Sequence, residues 1–503
     1  MNHLTAWGYE HASLQTRTTI AERIVDNAFA TMRPKFVDAI AQFLGTPLAP
    51  SGFHAFECLL WVLMRELGRI ILQTVIQALE PEDGEQLPKN LWFEAGGYRR
   101  RSDRTRNANV ATRFGTIVLW RRGYRSWQRG EETIFPLELL LGLTENVTPA
   151  LLNLMGQTLA TAGMSQQATL TVIREQCGVS LGVKRLRNCL EQLAEGLEPL
   201  RETCQIDRLL ELLDAANHSS GNRRPVLSVG RDGITLRDYQ HSYYEVATAA
   251  TVSVYDRAGK RLSTIYLAHP PEANQVTMDK MLSNLLVGLL TRWTGPLPCL
   301  AYVTDSGSSE VGYYERFLRK MKHPVSGQLL QWIRVADYYH VSERIWLMAN
   351  ALFKSNQSQQ MHAWARRMLK KLKQPSGASR VLHSAASLFH RRSLGKARAD
   401  KFWKGYRYIQ TRTSFLKYHD YHKRHVPLGS GVTEAACKTI YTQRLKLSGM
   451  RWTRAGAGRV LTLRTILLSG TWEATYGRFL EISKRAEIRT YMQKQTNPIQ
   501  NAA

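Results

Sequence analysis

Between residues 225 and 353 the apolar pattern switches repeatedly between a two-residue and a 3.6-residue period, and this alternation restricts the fold more than any other feature of the chain. PVLSVGRDGITL reads as a strand ending at Asp-Gly, and YYEVATAATVSVYDRAGKRLSTIYLAHPP supplies two further strands joined by the turn DRAGK. ANQVTMDKMLSNLLVGLLTRW, residues 273 to 293, reads as a helix. PCLAYVTDSGSSEVGYYERFLRKM is a buried strand running into a helix, and LQWIRVADYYHVSERIWLMANALF repeats that switch. The order β, β, β, α, β, α, β, α begins with antiparallel hairpins and continues with crossovers, which predicts a mixed sheet flanked by helices, an α+β architecture.

The remainder of the 503 residues allows about two to four domains with their own cores. Charge restricts what they meet: 68 Lys and Arg against 41 Asp and Glu leave +27, which points to a polyanion and to nucleic acid first. No apolar run reaches the ~18 residues of a spanning helix, so no membrane partner is expected. The start, MNHLTAWGYEHASL, has neither a basic nor an apolar leader segment, and a cytoplasmic location is expected. The six cysteines form no C-x-x-C pair, so reduced, mostly buried thiols are expected rather than a zinc ribbon or a disulfide framework.

Three stretches concentrate the basic charge. From Arg99 to Arg129 ten Arg face the single acid Asp103 around the β-branched run TIVLW, which fits a basic hairpin or small sheet offering Arg99, Arg100, Arg101, Arg121 and Arg122 to phosphates, or a solvated basic surface. SQQATLTVIREQCGVSLGVKRLRNCLEQLAE gives two helical patterns around CGVS. That is the layout of a helix-turn-helix with Lys184, Arg185 and Arg187 on the second helix, and equally of an ordinary helical hairpin. From residue 361 to 425 seventeen Lys and Arg accompany only Asp400 and Asp420, with Trp and Tyr interleaved, as a nucleic-acid groove or a helical core requires.

Three acids stand where chemistry is possible. Asp232 follows LSVGR and Asp305 follows LAYVT, each at an expected strand end, and Glu434 follows GSG at an expected helix start. Glu434 is the only acid between Asp420 and Glu473, an interval holding nine Lys and Arg. Hard cations such as Mg²⁺ want oxygen ligands, and a pair of them suits in-line phosphoryl displacement. Each acid also has a structural reading: a hairpin turn for Asp232 and helix caps for Asp305 and Asp337.

The motifs SVGRDG, AYVTDSGSSEVGYY, ADYYHVSERIW and GSGVTEAACKTIYTQRLKLSGMRW together resemble those of the DDE transposases of bacterial insertion sequences. The resemblance is clearest over residues 225 to 470, and TRFGTIVLWRRGYR and IFPLELLLGL also look like the N-terminal part of such proteins. It implies an RNase H-like catalytic domain interrupted by a large all-helical insertion, with Asp232, Asp305 and Glu434 as a catalytic triad holding two Mg²⁺ ions, replaceable by Mn²⁺. Asp337 and His340 resemble an accessory element of some relatives, and Asp337 is the alternative second ligand. Lys438, Arg444, Lys446, Arg451 and Trp452 are candidates for holding DNA near the site.

The implied layout is a helical region (1–95), a basic small sheet (96–140), a helix-turn-helix-like region (141–215), the core in two parts (216–340 and 428–485) around a basic insertion (341–427), and a flexible tail (486–503). The implied activity is binding of terminal inverted repeats in double-stranded DNA, followed by metal-dependent strand cleavage and transfer by a homodimer or larger assembly. A non-catalytic DNA-binding regulator and a stand-alone nuclease or resolvase on the same fold are the rival readings.

Overall fold

The computed structural model describes residues 12–81, 83–93, 96–237 and 244–482. The expected tail at 486–503 lies outside them. The chain divides into two compact units, one made of Met1–Leu159, Met164–Leu197 and Tyr476–Ala503, the other of Ala160–Gly163 and Glu198–Thr475.

The first unit opens with two long helices, α1 (Leu14–Leu44) and α2 (Pro50–Leu79). Ser13 caps α1 by accepting from the Thr16 N–H, and Pro50 starts α2 at a position where its missing N–H costs nothing. The antiparallel sheet β1 (Asn90–Phe93), β2 (Gly96–Thr112) and β3 (Gly115–Ser126) follows, so the basic sheet begins before residue 96. The second half of α2 packs on β3: Gln77 donates to the Trp120 carbonyl and accepts from its N–H, and Gln73 accepts from Val118 N–H. Then come α3 (Pro136–Leu140), α4 (Pro149–Ala160), α5 (Gln166–Cys177) and the start of α6 (Val183–Asn217). Gly178 ends α5 at φ 66°, the left-handed region that glycine enters without steric cost. The helix after this turn is one continuous element of 35 residues, so the division expected at 215 falls within its last turn.

The second unit is built on five strands in the order β6-β5-β4-β7-β8. β4 (Val226–Arg237), β5 (Tyr244–Tyr255) and β6 (Arg261–His269) form the antiparallel part, with a turn at Asp256–Lys260 where Asp256 accepts from two backbone N–H groups. After α7 (Val276–Arg292), β7 (Cys299–Thr304) runs parallel to β4, and after α8 (Ser308–Arg316), β8 (Trp332–Ala336) runs parallel to β7. The sheet is mixed and α+β, as the alternating periods require. One expectation is corrected: β4 does not end at Asp232-Gly233 but continues to Arg237, because both residues stay paired with β5 at Ala249 and Thr248.

One face of the sheet is covered by α7 and the apolar stripe Met278, Leu282, Leu285, Leu286 and Leu289, all fully buried. Helices α9 (Tyr338–Leu352), α10 (Ser358–Leu372), α11 (Gly377–His390), α12 (Lys396–Gln410) and α13 (Tyr418–Lys423) separate β8 from α14 (Gly431–Cys437). Their basic residues accompany a genuine core: Trp364, Phe402 and Tyr418 are buried, so those aromatics hold the helices together rather than facing solvent. A π-helical turn, Lys438–Thr442, and α15 (Arg454–Leu468) complete the unit. Among the described residues no helix is long and apolar enough to cross a membrane.

Candidate active site

Strand order brings the acids toward one another. Val226 lies beside Cys299 and Val229 beside Tyr302 in the parallel pair β4–β7, which ends there; further on, Asp232 continues along β4 and Asp305 follows the end of β7, near enough for its charge to raise the pKa of Asp232. In β7–β8, Thr304 lies beside Ala336, and the Asp337 N–H donates to the Thr304 carbonyl (2.9 Å), which brings Asp337 to the end of β7 that Asp305 follows. Asp305 and Asp337 thus directly follow the carboxyl ends of the parallel strands β7 and β8, while Asp232 lies within the neighbouring β4, which runs on to Arg237. Crevices at such ends are where open α/β sheets bind ligands.

Helix α14 adds Glu434 from above. Gly230 and Asp232 share a face of β4, since side chains alternate with a period of two. A Cβ on Gly230 would lie 1.9 Å from Thr433 Oγ1, so only glycine admits the helix this close. Thr433 is held there by a 2.7 Å hydrogen bond to Thr251 on β5, and Cys437, one turn further, donates its thiol to Asp232. Glu434 lies beside Thr433 in the first turn of α14, with its side chain about half exposed.

The electrostatics agree with this placement. Burial raises the pKa of Asp232, and the charges of Asp305 and Glu434 raise it further, opposed by hydrogen bonds from Gly233 N–H and Cys437. A fourth carboxylate, Glu310 in the first turn of α8, is buried beside them. Burial raises it, its own backbone N–H opposes, and Asp305 and Asp232 add to the rise against the pull of Arg231.

Asp337 takes a different part from Asp232 and Asp305. It is fully buried and caps α9, accepting from Tyr339 N–H (2.5 Å) and His340 N–H (3.1 Å) on one oxygen. The other oxygen accepts from the N–H and hydroxyl of Ser430, the residue that starts α14. The Ser430 hydroxyl is also 2.8 Å from Glu434 Oε1, and its single proton serves one carboxylate at a time. Asp337 is therefore the post that fixes α14, and with it Glu434, to the end of β8. His340 places Nε2 3.4 Å from Glu434 and Nδ1 3.4 Å from Glu343; burial alone would lower its pKa, but Asp337, Glu343 and Glu434 raise it on balance.

The loop after β7 is fixed from α12. The Tyr408 hydroxyl donates to the Asp305 carbonyl (2.8 Å), and Arg412, stacked 3.9 Å over the Tyr408 ring, donates to the Ser306 carbonyl (3.2 Å). Ser306 is held at φ 64°, and Gly307 N–H donates to Asp305. Position 306 thus has the backbone of a glycine site filled by serine.

The basic candidates separate by burial. Lys438, Lys446 and Arg451, which follow α14 in the chain, are exposed, and Trp452 lines a cleft of about 270 Å³ with Lys446, Arg237 and Arg454. Arg444 is corrected from its expected role. It is fully buried with its guanidinium over the Trp452 ring, and burial, then Arg464, lowers its pKa to about 10, which takes it off the surface that a DNA backbone would meet. In the first unit Arg122 is likewise buried, donating to the Pro81 carbonyl. Arg100 serves Leu87 and Glu85, and Arg121 pairs with Glu138 under the Phe135 ring. Arg185 donates to the carbonyls of Glu145, Asn109 and Asn146, so it braces a loop instead of reading bases. Arg99, Lys184 and Arg187 are exposed and Arg101 partly so, with Arg187 also reaching Gln166.

Sequence reasoning missed Glu310 and Cys437. The signal for Cys437 is its i+3 spacing from Glu434, which puts both on one side of a short helix. The signal for Glu310 is weaker, an acid in the first turn after TDSGSS. As they stand, no three His, Cys, Asp or Glu side chains among the described residues lie close enough together to hold a metal ion. No family model matches the chain, and no curated protein matches it.

Proposed function

We propose that the second unit is the catalytic core of a DDE-type DNA transposase with an RNase H-like sheet, cutting and joining DNA at the ends of its element. The observation that carries this reading is the docking of α14 on β4 at Gly230, which brings Glu434 toward Asp232, with Asp305 following the neighbouring strand β7. Strand order and direction support it, three antiparallel strands followed by two parallel ones, as does the run of five helices between β8 and α14. The exposed Lys438, Lys446 and Arg451, which follow Glu434 along the chain within a protein of +27, suit a phosphodiester substrate.

The donor chemistry suits a hard divalent cation, carboxylate oxygens whose repulsion adds to burial in raising Asp232, although the side chains would have to draw together from their present placement to share one ion. Asp232, Asp305 and Glu434 would hold Mg²⁺ or Mn²⁺, which when bound stabilises negative charge on phosphate oxygens and favours in-line displacement. The protein's own part is positioning. Asp337 and Ser430 hold α14 at the strand ends, Tyr408 and Arg412 hold the Asp305 loop, and the exposed cations hold the DNA backbone.

The test is strand cleavage of a DNA fragment carrying the gene with its natural flanks, in Mg²⁺ or Mn²⁺, for wild type and Glu434→Gln. Cuts at discrete flanking positions by wild type, with equal binding and no cutting by the variant, support the reading. Binding without cutting by both proteins favours a regulator, and equal cutting by both removes Glu434 from the site.

A further inference from the structure

More than half of the exposed large apolar side chains among the described residues lie between Leu14 and Val75, on α1, α2 and their connection. From Pro50 to Val62 no residue is buried, although the stretch reads PSGFHAFECLLWV. Phe53 is 59% exposed, Trp61 57% and Met64 51%, and Leu44 on the facing end of α1 is 77% exposed. The hairpin's own core is small, formed by Ala28, Met32, Ala39, Leu63 and Leu67. A helix that is apolar around its circumference is normally buried, and monomers seldom expose contiguous apolar patches beyond a few hundred Å².

Charge narrows the occupant. From Leu14 to Met64, Arg17, Arg23, Arg33 and Lys35 are balanced by Glu22, Asp26, Asp38 and Glu57, while the whole chain carries +27. A neutral stretch in so basic a protein is not built for DNA or anionic lipid, and it is where two copies can approach without repulsion. The area also fits. With large side chains of ~150–250 Å² standing about half exposed, the set amounts to on the order of 1,000 Å² per copy, against roughly 800 Å² for one side of a standard interface.

We infer that the α1–α2 hairpin is a self-association surface, pairing with the same hairpin of a second copy as a four-helix bundle. The transposase reading implies a dimer or larger assembly on DNA; what is added here is the surface, and an association that needs neither DNA nor metal.

The test is the mass of the full chain in solution without DNA or metal, for wild type and for the pair Phe53→Glu and Trp61→Glu together. The expected result is twice the 57.3 kDa of one chain for wild type, and at least a 100-fold weaker association for the variant with an unchanged circular dichroism spectrum. Cys58 on α2 is the one exposed cysteine among the described residues, so a nitroxide there reads the wild-type interface directly. Two labels within about 40 Å, some four helix diameters, are expected. A single-chain mass up to about 50 µM, a dimer that survives both substitutions, a dimer with no label distance in that range, or monomers that float with neutral phosphatidylcholine vesicles would each overturn the inference.

Discussion

Gly230→Ala tests the packing that places Glu434. The new Cβ would lie 1.9 Å from Thr433 Oγ1, 3.0 Å from Thr251 Oγ1 and 3.2 Å from Thr433 Cβ. Restoring an ordinary contact of ~3.5 Å requires a movement of about 1.5 Å. Two escapes exist. Thr433 can turn its hydroxyl away, losing the 2.7 Å hydrogen bond to buried Thr251 at a cost of about 1 kcal/mol, or α14 can lift from β4, an overpacking strain of about 1–3 kcal/mol. Urea denaturation should therefore show a loss of about 1–3 kcal/mol. If α14 lifts, Glu434 moves with it, and a misplacement of ~1 Å is enough to reduce cleavage about 100-fold. Removing the clashing atom separates the causes: Thr433→Ala alone should cost about 1 kcal/mol by leaving Thr251 unpaired. Gly230→Ala with Thr433→Ala should then be at least about 1 kcal/mol more stable than the two separate losses predict. A Gly230→Ala protein within about 0.5 kcal/mol of wild type, with unchanged cleavage, would refute the close approach of α14 to β4.

Asp337 and Asp305 should separate by phenotype. Asp337→Asn puts an amide donor among four donors and should lower stability by about 2–4 kcal/mol in thermal or urea unfolding, whereas Asp305→Asn should leave stability within about 1 kcal/mol and abolish cleavage. Salt titrations of DNA binding should show the slope falling by about one for each of Lys438→Ala and Lys446→Ala, and no change for buried Arg444→Met, which should instead reduce stability. Glu80 has a distinct pH signature. Burial raises its pKa from 4.5 to about 7 despite the Arg122 N–H and the charges of Arg104 and Arg122, so the folded state binds the proton more tightly than the unfolded one. Stability is then lost as pH rises from about 4.5 to about 7, by up to about 3 kcal/mol, and Glu80→Gln should flatten that fall and be the more stable protein at pH 8 in chemical denaturation.

Local order in this chain determined its elements. Alternating and helical periods mark β4 to β8 and their helices, because burying one face of a strand or helix leaves a repeat that can be read without neighbours. Asp305, Asp337 and Glu434 were legible for the same reason, since Asp and Glu stand out where apolar repeats stop or begin, whereas Asp232 marks no end and lies inside β4. Burial of a cation was not legible: Arg444 and Arg122 carry the same letter as the exposed Arg451 and Arg99, and only packing decides which guanidinium meets solvent. Nor could spacing separate Asp337 from Asp305. One is saturated by four donors gathered from α9 and the start of α14, and the other is near enough for its charge to raise the pKa of Asp232. Cys437 and Glu310 were hidden because their role depends on which strand each helix crosses, a contact between residues distant in the chain. The sequence by itself determined which segments become strands and helices and where the acids fall along them. The tertiary structure decided which acids approach one another, which of them is a structural post and which cations reach the surface, because strand order and burial are set by contacts across the sheet and not by any local repeat.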